Sequence, residues 1–123
     1  MKIEVKTENL LKCLQSVIGV VERKQTMPIL ANVLVNVVDE KLSITATDLE
    51  VELISTTTVS STENGSFTLP GRKLLDICRA LPVTSDLLLQ HDASKISISS
   101  KRKIYLDKEF PSKKKYYLWM QLH

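Results

Sequence analysis

The chain has 123 residues, 43% hydrophobic and 25% charged, which suits one globular domain and excludes disordered and collagen-like classes. No apolar run approaches the roughly 20 residues that span a bilayer, and the opening MKIEVKTENLL has no secretory h-region. The net charge of +3 is unevenly spread: residues 101–123 hold seven basic and two acidic residues, whereas residues 1–100 hold 10 basic and 12 acidic. Five of the six aromatics also fall in those last residues, so body and tail differ in composition. Two cysteines, Cys13 and Cys78, cannot frame a disulfide scaffold, and a reducing, cytoplasmic setting is expected.

Residues 2–6 alternate, with Ile3 and Val5 on one face, and predict a short strand. Thr7 is expected as the N-cap of a helix whose first turn holds Glu8. Leu10, Leu11, Leu14, Val17, Ile18 and Val21 form its apolar stripe, and the helix is expected to end near Glu22 before Pro28. Residues 30–38 predict a β-branched strand, and Asp39-Glu40 a tight turn. Leu42, Ile44 and Ala46 predict a second strand; after a turn at Thr47-Asp48, Leu49, Val51 and Leu53 predict a third. The polar loop 60–66 carries the Asn64-Gly65 turn signal.

The plan then repeats. A shift of 64 places Ile3 on Phe67, Val5 on Leu69, Leu10 on Leu74, Leu11 on Leu75, Leu14 on Cys78 and Val17 on Leu81. Pro70 opens the second helix, and Pro82 follows its end. Residues 87–91, a turn near Asp92-Ala93-Ser94, and Ile96 and Ile98 predict further strands. The expected class is α+β: two tandem βαβββ units, with both helices on one side of antiparallel sheets.

Catalytic signals are weak. His91 and His123 have no partner at metal-ligand or triad spacing, and both read as solvated. Asp48, Glu50 and Glu52 form the densest carboxylate cluster; Glu50 and Glu52 would share a strand face, which reads as a solvated surface more readily than as an acid/base or metal pair. No glycine-rich phosphate loop exists, no cofactor is implied, and the two cysteines lie on apolar helix faces as small buried hydrophobes. In GRKLLDICRALP (71–82), Leu74, Leu75, Cys78 and Leu81 face the core, while Arg72, Lys73, Asp76 and Arg79 face away. With Lys12, Arg23 and Lys24 they gather cations on one side of a body that is acidic overall, as a weak, sequence-independent phosphate contact requires. No aromatics accompany them, which argues against base stacking.

With TMPILANVL (26–34), TATDLEVEL (45–53) and LPGRKLLDICRALP (69–82) in this order, the chain from Met1 to about Ser100 resembles the N-terminal domain of the bacterial DNA polymerase III beta subunits, the sliding clamps. The resemblance implies a subunit of three such domains, two subunits closing a ring with helices inside and sheet outside, and duplex DNA threading the hole. Such a ring is the processivity factor that tethers the polymerase; it catalyses nothing and needs no metal or cofactor. By position the family's basic inner-wall residues fall on Lys24, Arg72, Lys73 and Arg79. Lys24 replaces a frequent arginine, keeping the charge without the fork, and Arg23 shares its role.

The resemblance also implies what a single domain lacks. The groove for polymerase and clamp-loader peptides lies between the second and third domains, and ring closure joins the first domain to the third of the other subunit. Residues 101–123 show no clamp pattern and are read as a separate basic, aromatic tail produced by a reading-frame change. The final strand is therefore uncertain in phase, with Ile104 and Leu106 alternating, and the 87–91 strand is expected to pair poorly and leave an exposed edge. The alternative is a stand-alone nucleic-acid-binding module that uses this tail.

Overall fold

A computed structural model describes residues 1–21, 28–61, 63–92, 95–101 and 103–109. Strand β1 (Lys2–Lys6) buries Ile3 and Val5 and exposes the residues between them, as period-2 alternation requires. It runs without a linker into α1 (Thr7–Val17). Thr7 is the first helical residue and not the N-cap; Lys6 holds that place in extended conformation, with no side-chain cap. The Thr7 N–H is satisfied from elsewhere, by the Ser85 carbonyl at 3.0 Å. The helix also stops short of Glu22. Ile18–Val20 tighten into a 3₁₀ turn, and Val21 is extended, with its N–H donated to the Ile18 carbonyl at 3.0 Å. Leu10, Leu14, Val17 and Val21 are buried as the stripe requires.

A 3₁₀ turn at Pro28–Ala31 takes up the start of the expected 30–38 strand, so β2 is Asn32–Val38. β3 (Lys41–Thr47) follows through Asp39 and Glu40, whose φ angles of 51° and 63° are both left-handed, as a two-residue hairpin turn demands. β4 begins at Glu52 and runs to Thr58, later than its alternating residues predict. Leu49 is a turn residue with φ 81°, and Val51 is exposed. The cause is Asp48, whose Oδ1 accepts the N–H groups of Glu50 at 2.9 Å and Val51 at 2.8 Å and so holds a turn open where a strand was expected.

A two-residue strand, β5 (Ser60–Ser61), precedes β6 (Gly65–Pro70). Pro70 is the N-cap of α2 (Gly71–Ala80), which then leads to β7 (Asp86–Asp92), β8 (Lys95–Ser100) and β9 (Lys103–Glu109). Two βαβββ units are present, and they interlock. One sheet has the order β5-β1-β7-β8-β9, the other β4-β3-β2-β6. Each unit thus gives its first strand to the three-stranded meander of the other. The 64-residue offset holds through strand and helix, but Asn32 and Asp86 open equivalent strands 54 positions apart, because the connection after α1 is the longer one. A single apolar cluster joins the inward faces of both sheets to Leu10, Cys13, Leu14 and Val17 of α1 and to Leu74, Leu75, Ile77 and Cys78 of α2.

β7 is not an exposed edge. It lies between β1 and β8 in full antiparallel register, with Leu87 and Leu89 buried. Residues 103–109 of the tail form β9 and complete this sheet, while the tail from Phe110 lies outside the described residues. Ile104 and Leu106 do not share a face. A register shift opposite Ile98 and Ser99 inserts one extra residue, so Leu106 is 6% exposed and Ile104 is 63% exposed.

The bulge makes these neighbours unequal. Leu106→Ala is expected to cost about 2 kcal/mol or more, and Ile104→Lys no more than about 0.5 kcal/mol, in urea unfolding. Equal losses at the two positions would contradict the bulge.

Candidate nucleic-acid interface

α1 and α2 pack side by side, so their outward faces form one surface. On α2, Leu74, Leu75, Ile77 and Cys78 turn inward, leaving Lys73, Asp76 and Arg79 exposed and Arg72 half-buried. On α1 the outward residues are Glu8, Lys12, Gln15 and Ser16, followed by Gly19 in the 3₁₀ turn. Four cations and two carboxylates thus share this face, and among the described residues no carboxylate pairs with Lys12, Lys73 or Arg79. Arg23 and Lys24 lie outside the described residues.

The first turn of α2 holds Arg72 and Lys73 and no acidic residue. Cations there oppose the helix dipole and weaken the helix by roughly 0.3–1 kcal/mol each when exposed. The same placement adds their charge to the unpaired N–H groups of the helix start, which favours an anion such as phosphate. Sequence reasoning missed the environment of Arg72. Its Nη2 donates to the Val21 carbonyl at 2.8 Å, and its Nε is buried without a hydrogen-bond partner.

The alternative chemistries lose their geometry. Glu50 lies in the 48–51 turn and Glu52 opens β4, so the two do not share a strand face. Backbone hydrogen bonds from Val51 and Glu50 hold the Asp48 carboxyl below its ordinary 3.8. Among the described residues no group of three or more His, Cys, Asp or Glu is placed to hold a metal ion. His91 is half-buried, with its ring 5.1 Å from that of Phe67, which corrects its reading as solvated; His123 lies outside the described residues. Cys13 and Cys78 are free and buried, and burial pushes the Cys78 thiol up to about 12. No helix among the described residues is long and apolar enough to cross a membrane.

Residues 1–113 match the family described as DNA polymerase III beta subunit, N-terminal domain. The chain belongs to this family. The match passes the point near Ser100 where the sequence motifs fade, and it takes in β9. Among curated relatives, the beta sliding clamp of Haemophilus influenzae is 46% identical over 103 residues, covering 83% of this chain and 28% of that protein. That of Vibrio harveyi is 45% identical, with 83% of this chain and 71% of that sequence covered. Among solved structures, a sliding clamp (DNA polymerase III subunit beta) from Pseudomonas aeruginosa bound to griselimycin superposes with a TM-score of 0.84 at 40% identity, covering 93% of this chain and 31% of that one. Caulobacter crescentus pol III beta gives 0.84 at 35% identity, covering 90% and 30%. The chain therefore spans little more than a quarter of the Haemophilus relative.

Two measurements test this clamp domain. Cys78 is expected to resist maleimide at pH 8 in the native state and to react once urea unfolds the chain; rapid native labelling would contradict its burial. The Asp48 carboxyl, followed by NMR, is expected to titrate below 3.8. Because its folded value is lowered, the turn's contribution is present above that ordinary value and is lost as pH falls through the lowered one. A midpoint at or above 3.8 would contradict it.

Proposed function

We propose that this chain is the DNA-facing N-terminal domain of a sliding clamp, the processivity factor that encircles duplex DNA and tethers DNA polymerase III during replication. The observation that carries the reading is the net-positive outward face of α1 and α2, whose Lys12, Lys73 and Arg79 pair with no carboxylate among the described residues, in a chain of this family. Lys73 and Arg79 supply exposed charge to phosphates, and the resemblance assigns the same role to Lys24 and Arg23, which lie outside the described residues. Contacts of this kind carry no base information and let the protein slide. The domain works in the cytoplasm, catalyses no reaction and holds no cofactor.

The ring itself needs more chain than this. The Haemophilus relative is over three times as long as the matched segment; by the resemblance, the remaining length would carry the peptide groove for polymerase and clamp-loader subunits and the domain against which this one closes the ring. In the assembled ring the partners are duplex DNA, a second subunit, and those polymerase and loader proteins. The tail reading gains nothing from the geometry, since residues 103–109 are spent on β9.

Duplex binding by the chain alone is expected to be weak, on the order of 10⁻⁴ to 10⁻⁶ M at physiological salt. Lys73→Gln and Arg79→Gln should each reduce the slope of log affinity against log salt by about 0.9 in magnitude. Unchanged slopes in both variants would remove the helix face as the DNA surface.

A further inference from the structure

The Asn64-Gly65 pair does not make the left-handed turn that such a dipeptide usually marks, since neither residue has a positive φ. The Asn64 side chain acts on another element instead. The two-residue tip of the β2–β3 hairpin is held from outside at both of its residues. The Glu40 carbonyl accepts the Val59 N–H at 2.9 Å, and the Asp39 N–H donates to Asn64 Oδ1 at 2.9 Å. Asn64 is exposed, and Gly65 is the end residue of β6 in its ladder, opposite Val37. A Cβ on Gly65 would meet only the flexible end of Met1, 3.0 Å from Sδ and 3.3 Å from Cε.

We infer that Asn64 is a site of spontaneous deamidation in the folded chain. The Gly65 backbone nitrogen attacks Asn64 Cγ and gives up its proton to water. The new N–C bond closes a succinimide ring as the Cγ–Nδ2 bond breaks, and the side-chain nitrogen leaves as ammonia. Water then opens the ring. Attack at Cγ gives aspartate, and attack at the main-chain carbonyl carbon of residue 64 gives isoaspartate. The sum is water in and ammonia out, with nothing oxidised or reduced. Three features single out Asn64. Gly65 puts no side chain beside the attacking nitrogen, whereas Asn9, Asn32 and Asn36 precede Leu10, Val33 and Val37 within α1 and β2. The Asp39 N–H already sits on Oδ1 and stabilises the charge that develops there as Cγ is attacked, as an oxyanion-hole donor does. The attacking nitrogen lies at a ladder end, where local opening costs least. Either product adds a negative charge beside Asp39 and Glu40, and like charges repel. Isoaspartate also lengthens the main chain ahead of β6 and moves the acceptor off the Asp39 N–H.

The full chain is kept folded in mildly alkaline buffer and mapped by mass spectrometry at intervals, alongside Gly65→Ala. Asn64 is expected to gain the mass of water less ammonia and to separate into aspartate and isoaspartate forms, while Asn9, Asn32 and Asn36 stay intact. Gly65→Ala is expected to lose most of the conversion. Conversion of Asn64 no faster than that of the other three, or seen only after urea unfolds the chain, would overturn the inference. Equal conversion in Gly65→Ala and the parent would do the same for ring closure through the Gly65 nitrogen. The comparison among asparagines needs no variant, so it decides the matter even if Gly65→Ala does not fold. In the separated isoaspartate form, amide exchange at Asp39 is expected to quicken by roughly two- to tenfold, as loss of one neutral hydrogen bond implies. Unchanged exchange there would overturn the role given to Asn64 at the hairpin tip.

Discussion

The opening strand of each half hydrogen-bonds into the sheet of the other half: β1 lies against β7, and β6 against β2. Each of these strands enters its helix with no connecting residues, at Lys6-Thr7 and at Pro70-Gly71. The place of a strand in the opposite sheet therefore sets where the following helix begins. Ile3 and Val5 fill the space beside Leu87 and Leu89, and Phe67 and Leu69 do the same beside Val33 and Val35. Neither half closes a core alone, because each would lack the strand that flanks its meander. At about 25 cal/mol per Å² of apolar surface removed from water, this shared burial is the main term opposing chain entropy.

How much of this was legible follows from what sequence patterns encode. Alternation and helical spacing report which face of an element is buried, so β1, α1, β6, α2 and their shared offset were readable from residues such as Ile3, Phe67, Leu10 and Leu74. They do not report which strand lies alongside, so the exchange between halves was not. Leu49 and Val51 alternate like strand residues, yet the Asp48 carboxylate captures two backbone N–H groups and moves β4 downstream. A polar side chain competing for the backbone leaves no mark in hydrophobic periodicity. Ile104 and Leu106 failed in another way, since a bulge adds one residue to one strand and changes the facing of everything beyond it. The resemblance supplied the family, while composition alone pointed to a tail whose first strand belongs to the sheet.

The charge on the helix face illustrates a common tension between stability and function. Two cations in the first turn of α2 are poor choices for the helix and good ones for meeting phosphate. The fold tolerates them because Leu74, Leu75, Ile77 and Cys78 hold the helix down from beneath. Sequence reasoning grouped Arg72, Lys73 and Arg79 by helical angle, which is correct as geometry. It could not separate an exposed charge from one turned back towards the Val21 carbonyl at the exit of α1, because that depends on a contact between residues 51 positions apart.

The pairing of Lys2 with Gln90 sets the order in which the chain can assemble. The meanders β2-β3-β4 and β7-β8-β9 are local and close through short turns, whereas β1 pairs with no strand longer than the two-residue β5 until β7 has been made. At the usual rate of synthesis, about 5–20 residues per second, the first strand waits roughly 4 to 17 seconds for the residues it will lie beside. During that time Ile3 and Val5 are exposed on a strand already joined to an amphipathic helix. The strand synthesised first thus waits for a main partner made late, and long-range pairing of this kind slows folding.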